Sequence, residues 1–109
     1  MVGRAYVPDA GDLVWLTFDA QSGRRPALIL SPRAYNARAR LALACPVTSL
    51  RKGYPFEVAI PPSHGIAGVV LADHVQNLDW EARRVEFDSQ APAALVAEVR
   101  ERLRPLLGL

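Results

Sequence analysis

Two arginines followed by a proline, Arg24-Arg25-Pro26, are the residues of this chain best suited to holding an anion. Pro26 fixes its own φ and restricts Arg25 to extended geometry, so the backbone aims the Arg25 side chain before any ligand arrives. A planar, permanently charged fork at a strand mouth matches phosphate or carboxylate. The apolar run Ala27-Leu28-Ile29-Leu30 follows at once and is bounded by Pro26 and Pro32. It is too short for an ordinary helix and reads as a strand buried on both faces. An isolated Arg-Arg pair is usually no more than a solvated loop feature. The strand behind this one gives it a fixed direction.

Other residues with chemical potential are spread along the chain. Thr48 and Ser49 close the apolar run 41–47, which sets their hydroxyls at a strand terminus where they can face a groove. Arg51-Lys52-Gly53-Tyr54-Pro55 is a basic turn carrying an aromatic ring. Asp73-His74 ends a further buried run, where the pair reads as an oriented acid or base or as a structural hydrogen bond. The single Cys45 lies inside an apolar run and reads as a buried, reduced thiol. His64 and His74 are ten residues apart and have only that one cysteine for company, so neither a metal site nor a cofactor is expected. His64, in a Pro-Ser-His-Gly loop, is expected to be solvated. Trp15 lies mid-strand and reads as core or dimer interface. Trp80, in the charged turn Asp79-Trp80-Glu81, is expected to be exposed and available to a partner.

Length and composition narrow the class. The 109 residues fit one domain, 1–109, around one core, and 50% hydrophobic against 22% charged residues is a globular rather than a disordered balance. Residues 1–56 hold eight Lys+Arg against three Asp+Glu, a net of +5; residues 57–109 hold five against eight, a net of −3. Twelve of the thirteen basic residues are arginine, which suits bidentate phosphate contact and stacking on bases. A basic front half fits a polyanion such as RNA or DNA. Asp9, Gly11 and Asp12 interrupt any apolar signal segment and no run reaches bilayer length, so a soluble, cytoplasmic protein is expected.

The elements that must position these residues read as short strands followed by a helix. Residues 13–18 are β-branched and aromatic and apolar on nearly every position, which implies a small barrel or a sheet covered on its outer side by a partner. Residues 19–23 form a polar connection, completing a long-looped hairpin over 13–30. Ser31-Pro32 predicts an N-capped helical turn over 31–36. Further strands are expected at 41–48, 56–60, 69–72, 75–78 and 85–87, with Pro46 marking a bulge or edge. From Pro92 the period changes: Leu95, Val99 and Leu103 recur at helical spacing, Val96 and Leu106 widen the stripe, and Glu98 and Arg102 pair four apart.

In order along the chain, Gly11-Asp12-Leu13-Val14-Trp15, Arg25-Pro26-Ala27, Thr48, Lys52-Gly53-Tyr54-Pro55-Phe56-Glu57-Val58 and Leu71-Ala72-Asp73-His74-Val75 resemble the MazF/PemK toxins of bacterial toxin–antitoxin modules. The resemblance covers nearly the whole chain. It implies a mainly β fold, the SH3-like small antiparallel barrel with a short helix and a C-terminal amphipathic helix. It also implies a homodimer, sequence-specific endoribonuclease activity on single-stranded RNA, and a cognate MazE-like antitoxin that occupies the RNA groove. The family's catalytic arginine falls on Arg25 and its catalytic threonine on Thr48. RNA contacts are expected from Arg24, Ser49, Lys52, Tyr54, Asp73, His74 and Gln76. The chain departs from the family pattern in a shorter loop over 19–23 without its acidic residue, and in His74 where many members have glutamine.

The chemistry so implied is consistent with these residue types. RNA cleavage without a metal uses the 2′-hydroxyl as nucleophile and leaves cyclic phosphate and 5′-hydroxyl ends. A fixed guanidinium stabilises the phosphorane charge and a threonine hydroxyl fixes the in-line geometry. Neither is a good general base, and no residue in the sequence identifies itself as one. Two other readings stand beside this one. A non-catalytic SH3-like module binding RNA or protein would use Arg25 and Thr48 equally well. A gyrase-poisoning toxin of the CcdB type is disfavoured because those depend on a Trp-containing tail, and this chain ends Leu-Leu-Gly-Leu.

Overall fold

The computed structural model describes residues 5–19, 21 and 23–109; Ala20 and Ser22 of the expected polar connection lie outside them. Among these residues the elements run β1 (Asp12–Asp19), β2 (Gly23–Ile29), α1 (Arg33–Ala39), β3 (Ala42–Thr48), β4 (Glu57–Ala59), β5 (Val69–Leu71), a 3-10 turn (Ala72–His74), β6 (Gln76–Leu78), β7 (Glu86–Gln90) and α2 (Ala93–Leu106). Arg24 and Arg25 therefore lie inside β2, opposite Thr17 and Leu16 of β1, and not at the end of a loop. None of the described helices is long and apolar enough to cross a membrane.

All strand pairings are antiparallel, in the order β4-β5-β3-β2-β1-β7, with β6 also on β3. β3 is shared between two partners along one edge. Ala42–Ala44 pair with Leu78–Gln76 of β6, and Val47 and Thr48 pair with Val70 and Val69 of β5. The change of partner falls at Cys45 and Pro46, so the proline sits where that edge is unpaired. β4 and β7 end the path without pairing to each other among the described residues. The result is a small antiparallel barrel left open on one side.

Leu13, Val14 and Leu16 of β1 and residues 27–29 of β2 are buried, on both faces of the sheet, and the chain itself supplies both covers. Leu13, Leu28, Cys45, Val47, Val58 and Val70 pack with Leu95, Val96, Val99 and Leu103 of α2. Val14, Leu16, Ala27, Ile29, Ala42 and Ala44 pack on the other face with Leu78 and Trp80, flanked by Tyr6, Val7, Phe18 and Val85. The doubly apolar strand thus needs no partner molecule to hide it. Each of these fully buried aliphatic side chains contributes about 1.5–3 kcal/mol from removal of apolar surface from water. α2 follows the expected stripe, and its Glu98–Arg102 ion pair closes at 3.0 Å.

Two local expectations are corrected. Ser31 does not cap α1: the helix starts at Arg33, with Pro32 at the cap position and no side-chain cap. Instead the buried Ser31 hydroxyl donates to Asn36 Oδ1 (2.6 Å) and accepts from the Leu43 amide (2.8 Å). The fully buried Asn36 amide donates to the carbonyls of Pro8 (2.8 Å) and Ser31 (2.9 Å), tying the lead-in to the helix. Trp80, expected at the surface, is 3% exposed. Its indole N–H donates to the Asn36 carbonyl (3.1 Å) and the Arg40 guanidinium lies 4.8 Å over its ring, so its charged neighbours surround a core side chain. Trp80→Ala is expected to cost about 3–5 kcal/mol of stability, measured by urea unfolding. A loss under about 1 kcal/mol would show that the second core does not depend on it.

Candidate active site

The β2–β3 ladder brings the two principal residues together. Ala27 faces Pro46, Leu28 faces Cys45 and Ile29 faces Ala44. Carried two residues further, the same register sets Arg25 opposite Thr48 across the strand ends. Both line a groove of about 390 Å³. Trp15 and Pro26 belong to its β1–β2 side, Ser49 continues the β3 end, residues 65–67 form a loop wall, and Asp88 of β7 completes the lining. Among the described residues the Arg25 guanidinium has no ion pair or hydrogen-bond partner. Thr48 Oγ1 accepts the Leu50 amide (3.1 Å), which leaves its own hydrogen free to donate. A free guanidinium beside a free hydroxyl hydrogen suits a phosphodiester.

Gly68 fixes the Thr48 backbone from below. Its φ is +124°, and a Cβ there would sit 2.2 Å from the Thr48 carbonyl oxygen. Only glycine allows the loop to pass this close and enter β5, where Val69 pairs with Thr48.

The remaining expected site residues are placed differently. Arg24 is fully engaged: it donates to Thr17 Oγ1 (3.2 Å), to the carbonyls of Trp15 (3.2 Å) and Arg84 (2.6 Å), and to Glu86 (2.7 Å). It joins β2, β1 and the start of β7. Lys52 and Tyr54 are exposed on the loop after Ser49, with the Lys52 ammonium 6.0 Å from the Tyr54 ring. Glu57 shapes that loop by accepting the amides of Lys52 (3.0 Å) and Gly53 (2.9 Å), while Arg102 of α2 donates to the Pro55 carbonyl. Desolvation raises the Glu57 pKa, but the amides of Lys52, Gly53 and Tyr54 and the charge of Arg51 outweigh it and hold the carboxyl below the usual glutamate range. Asp73 and His74, 4.0 Å apart, and Gln76, opposite Ala44, do not line the groove. Cys45 is fully buried, and burial, with the charge of Asp73 adding to it, pushes its thiol up to about 12, so it is no nucleophile.

Two groove residues, Trp15 and Asp88, and one neighbour of the groove, His64, were not legible as such. Trp15 lines the groove, with its indole N–H donating to Asp88 (3.2 Å). His64, expected to be solvated, is half-buried and bonded to Ser89 (2.9 Å), linking the loop wall to β7. Asp88 reaches the groove through an irregularity in the β1–β7 pairing, and no sequence pattern announces it. No group of three or more His, Cys, Asp or Glu residues among those described converges to hold a metal ion.

Fold and groove together define a small, partly open β-barrel with a cleft at its strand ends lined by Arg25 and Thr48. Residues 9–107 match the family model described as the PemK-like, MazF-like toxin of type II toxin–antitoxin systems. The chain is 39% identical to the endoribonuclease toxin MazF of Escherichia coli (strain K12), over 99% of this chain and 100% of that protein. It is also similar to MazF of Deinococcus radiodurans, with 58% identity, a TM-score of 0.91 and coverage of 96% and 100% of the two chains. A chain of the MazE–MazF structure from the same organism gives 60% identity, a TM-score of 0.90 and coverage of 96% and 99%. The chain belongs to the PemK-like, MazF-like toxin family.

The Gly68 contact predicts that Gly68→Ala lowers stability by at least about 1 kcal/mol and shifts the Thr48 and Ser49 amide resonances in an NMR spectrum. Unchanged resonances would show that Thr48 does not depend on the close approach. For Glu57 the sign follows from its depressed folded pKa. The bonds to Lys52 and Gly53 are intact above the usual glutamate value, about 4.3, and are lost as pH falls through the lower folded value. The Lys52 and Gly53 amide shifts should therefore hold from neutral pH to about 4.3 and move only below it. Movement complete by pH 5 would contradict this.

Proposed function

We propose that this chain is an endoribonuclease toxin that cuts single-stranded RNA, messenger RNA above all, at selected sequences and so arrests translation and growth. Residues 1–109 act as one toxin domain. The observation that carries the reading is that Arg25, whose guanidinium has no partner among the described residues, and Thr48 line one open groove. The 2′-oxygen attacks the adjacent phosphorus, Arg25 neutralises the charge that grows on the phosphoryl oxygens, and Thr48 donates to one of them and holds the attack in line. The nucleophile comes with the substrate, so neither a metal nor an activated side-chain nucleophile is required. The products carry cyclic phosphate and 5′-hydroxyl ends. Ser49, and the exposed Lys52 and Tyr54 beyond it, take neighbouring phosphates and bases. Arg24 supports the site from inside the sheet, and no role is assigned to Asp73, His74 or Gln76.

Two partners belong to this reading. The structural neighbours include MazE–MazF of D. radiodurans and a mycobacterial endoribonuclease in complex with its cognate antitoxin. An antitoxin for this chain would lay acidic and apolar residues over Arg25 and compete with RNA. A homodimer is supported by the apolar groove along the end of α2, lined by Leu30, Leu43, Val75, Leu103, Leu107 and Leu109, of which Leu43, Leu107 and Leu109 are exposed. The cytoplasm is where messenger RNA and such an antitoxin would meet it.

Incubating the purified protein with a long single-stranded RNA in EDTA, and mapping cut sites and end groups, tests the reading. Cuts at one short motif with the stated ends are expected. Arg25→Ala should lower the rate about 10²–10³-fold, the scale of losing one charge-stabilising donor. RNA that is bound but left intact would instead make the groove a non-catalytic RNA-binding site, with Arg25 a phosphate clamp.

A further inference from the structure

Transesterification needs a group to take the proton from the 2′-hydroxyl, and neither Arg25 nor Thr48 does this at ordinary pH. We propose that Asp88 is the general base of this groove, an assignment that rests on the endoribonuclease reading above. The β1–β7 pairing sets Leu13 opposite Ser89 and Val14 opposite Phe87, which leaves Asp88 as the one extra residue of a β-bulge. Bulges re-aim a side chain out of the strand's alternation. Here the bulge delivers a carboxylate to the wall of the groove that holds Arg25 and Thr48. Among the described residues lining that groove, Asp88 is the only one whose side chain carries a carboxylate, and none carries an imidazole.

The carboxylate is held on both oxygens. Trp15 Nε1–H donates to Oδ1 (3.2 Å) and the Ser89 hydroxyl donates to Oδ2 (2.8 Å). Because the single Ser89 hydrogen points to Asp88, the 2.9 Å contact between Ser89 Oγ and His64 Nε2 has His64 as donor. His64 therefore acts through Ser89 as a positioning residue, and it does not touch the substrate. Each Asp88 oxygen keeps a second lone pair for a new proton. In the reaction the 2′-O–H bond breaks with its proton passing to Asp88, the 2′-oxygen bonds to phosphorus, and the phosphorus–O5′ bond breaks. A solvent water protonates the departing 5′-oxygen, and the hydroxide so formed removes the proton from Asp88. Atoms and charge balance, and the carboxylate is regenerated.

Steady-state cleavage of a short RNA bearing the mapped site, followed from about pH 4 to 8, tests the assignment. Wild type should show a limb of kcat that rises with pH, as general-base catalysis requires. Asp88→Asn should lower kcat about 10²-fold with KM within about two-fold and abolish that limb, and Asp88→Glu should recover part of the rate. His64→Gln should lower kcat less than Asp88→Asn while keeping the limb. A wild-type profile with no rising limb overturns the assignment without any variant. So does an Asp88→Asn enzyme that loses only KM, or that cuts as fast as wild type; in either case the nuclease reading stands. If wild type leaves RNA intact, both readings fall together.

Discussion

Ala27, Leu28 and Ile29 lie opposite Pro46, Cys45 and Ala44, and everything in the groove depends on that alignment. A slip of one residue would turn Leu28 and Cys45 away from α2 and push Ala27 and Ile29 toward it. Both cores oppose such a slip, because each draws alternate residues from the same two strands. The Arg25–Thr48 alignment comes from this register, and the close approach of Gly68 adds to it under Thr48. Arg25 and Thr48 are the next residues along a register that hydrophobic burial already holds. Geometry at the groove is thus a by-product of packing a few residues away.

Rigidity of the walls comes from polar groups already committed elsewhere. Arg24 could have been a second free cation beside Arg25. Its four hydrogen bonds instead join β2, β1 and the start of β7. Its partner Glu86 is exposed, so the ion pair itself adds little to stability. The contacts to two backbone carbonyls matter more, because they keep β7, and with it Asp88, against β1. Adjacent residues of one motif therefore do unlike work. The one that looks redundant in the sequence is the one that positions the other's surroundings.

Much of this was readable beforehand, for identifiable reasons. The strands, α2 and the buried Cys45 follow from periodicity and apolar runs, which report burial directly. Pro26 and the run behind it located Arg25, and a strand end located Thr48. What escaped were features decided by tertiary contact. Trp80 sits among charged neighbours, yet Asn36 and the second core draw it inward. Ser31 and Pro32 have the composition of a helix start, but a buried asparagine outcompetes the cap for the hydroxyl. Asp88 was invisible because a bulge has no period, and His64 because its partner is 25 residues away. Local pattern carries the core. It does not carry long-range polar pairing.

The economy of the groove fits a substrate that brings its own nucleophile. A protein attacking DNA or a peptide must generate a reactive oxygen or sulfur, commonly by burying it beside a base or a metal. This chain's only thiol is sealed in the core with its pKa raised, and its groove is open to solvent at the strand ends. With RNA, the 2′-hydroxyl is already within bonding range of phosphorus. Orientation, one cation and one proton acceptor then suffice. Such a site needs no deep pocket, and a sheet with a few residues beyond its last core layer can carry it. The same openness leaves the Arg25 charge accessible to any extended acidic segment. On the endoribonuclease reading, the feature that would admit RNA would also make the protein easy to silence, because an occupant need only cover one guanidinium.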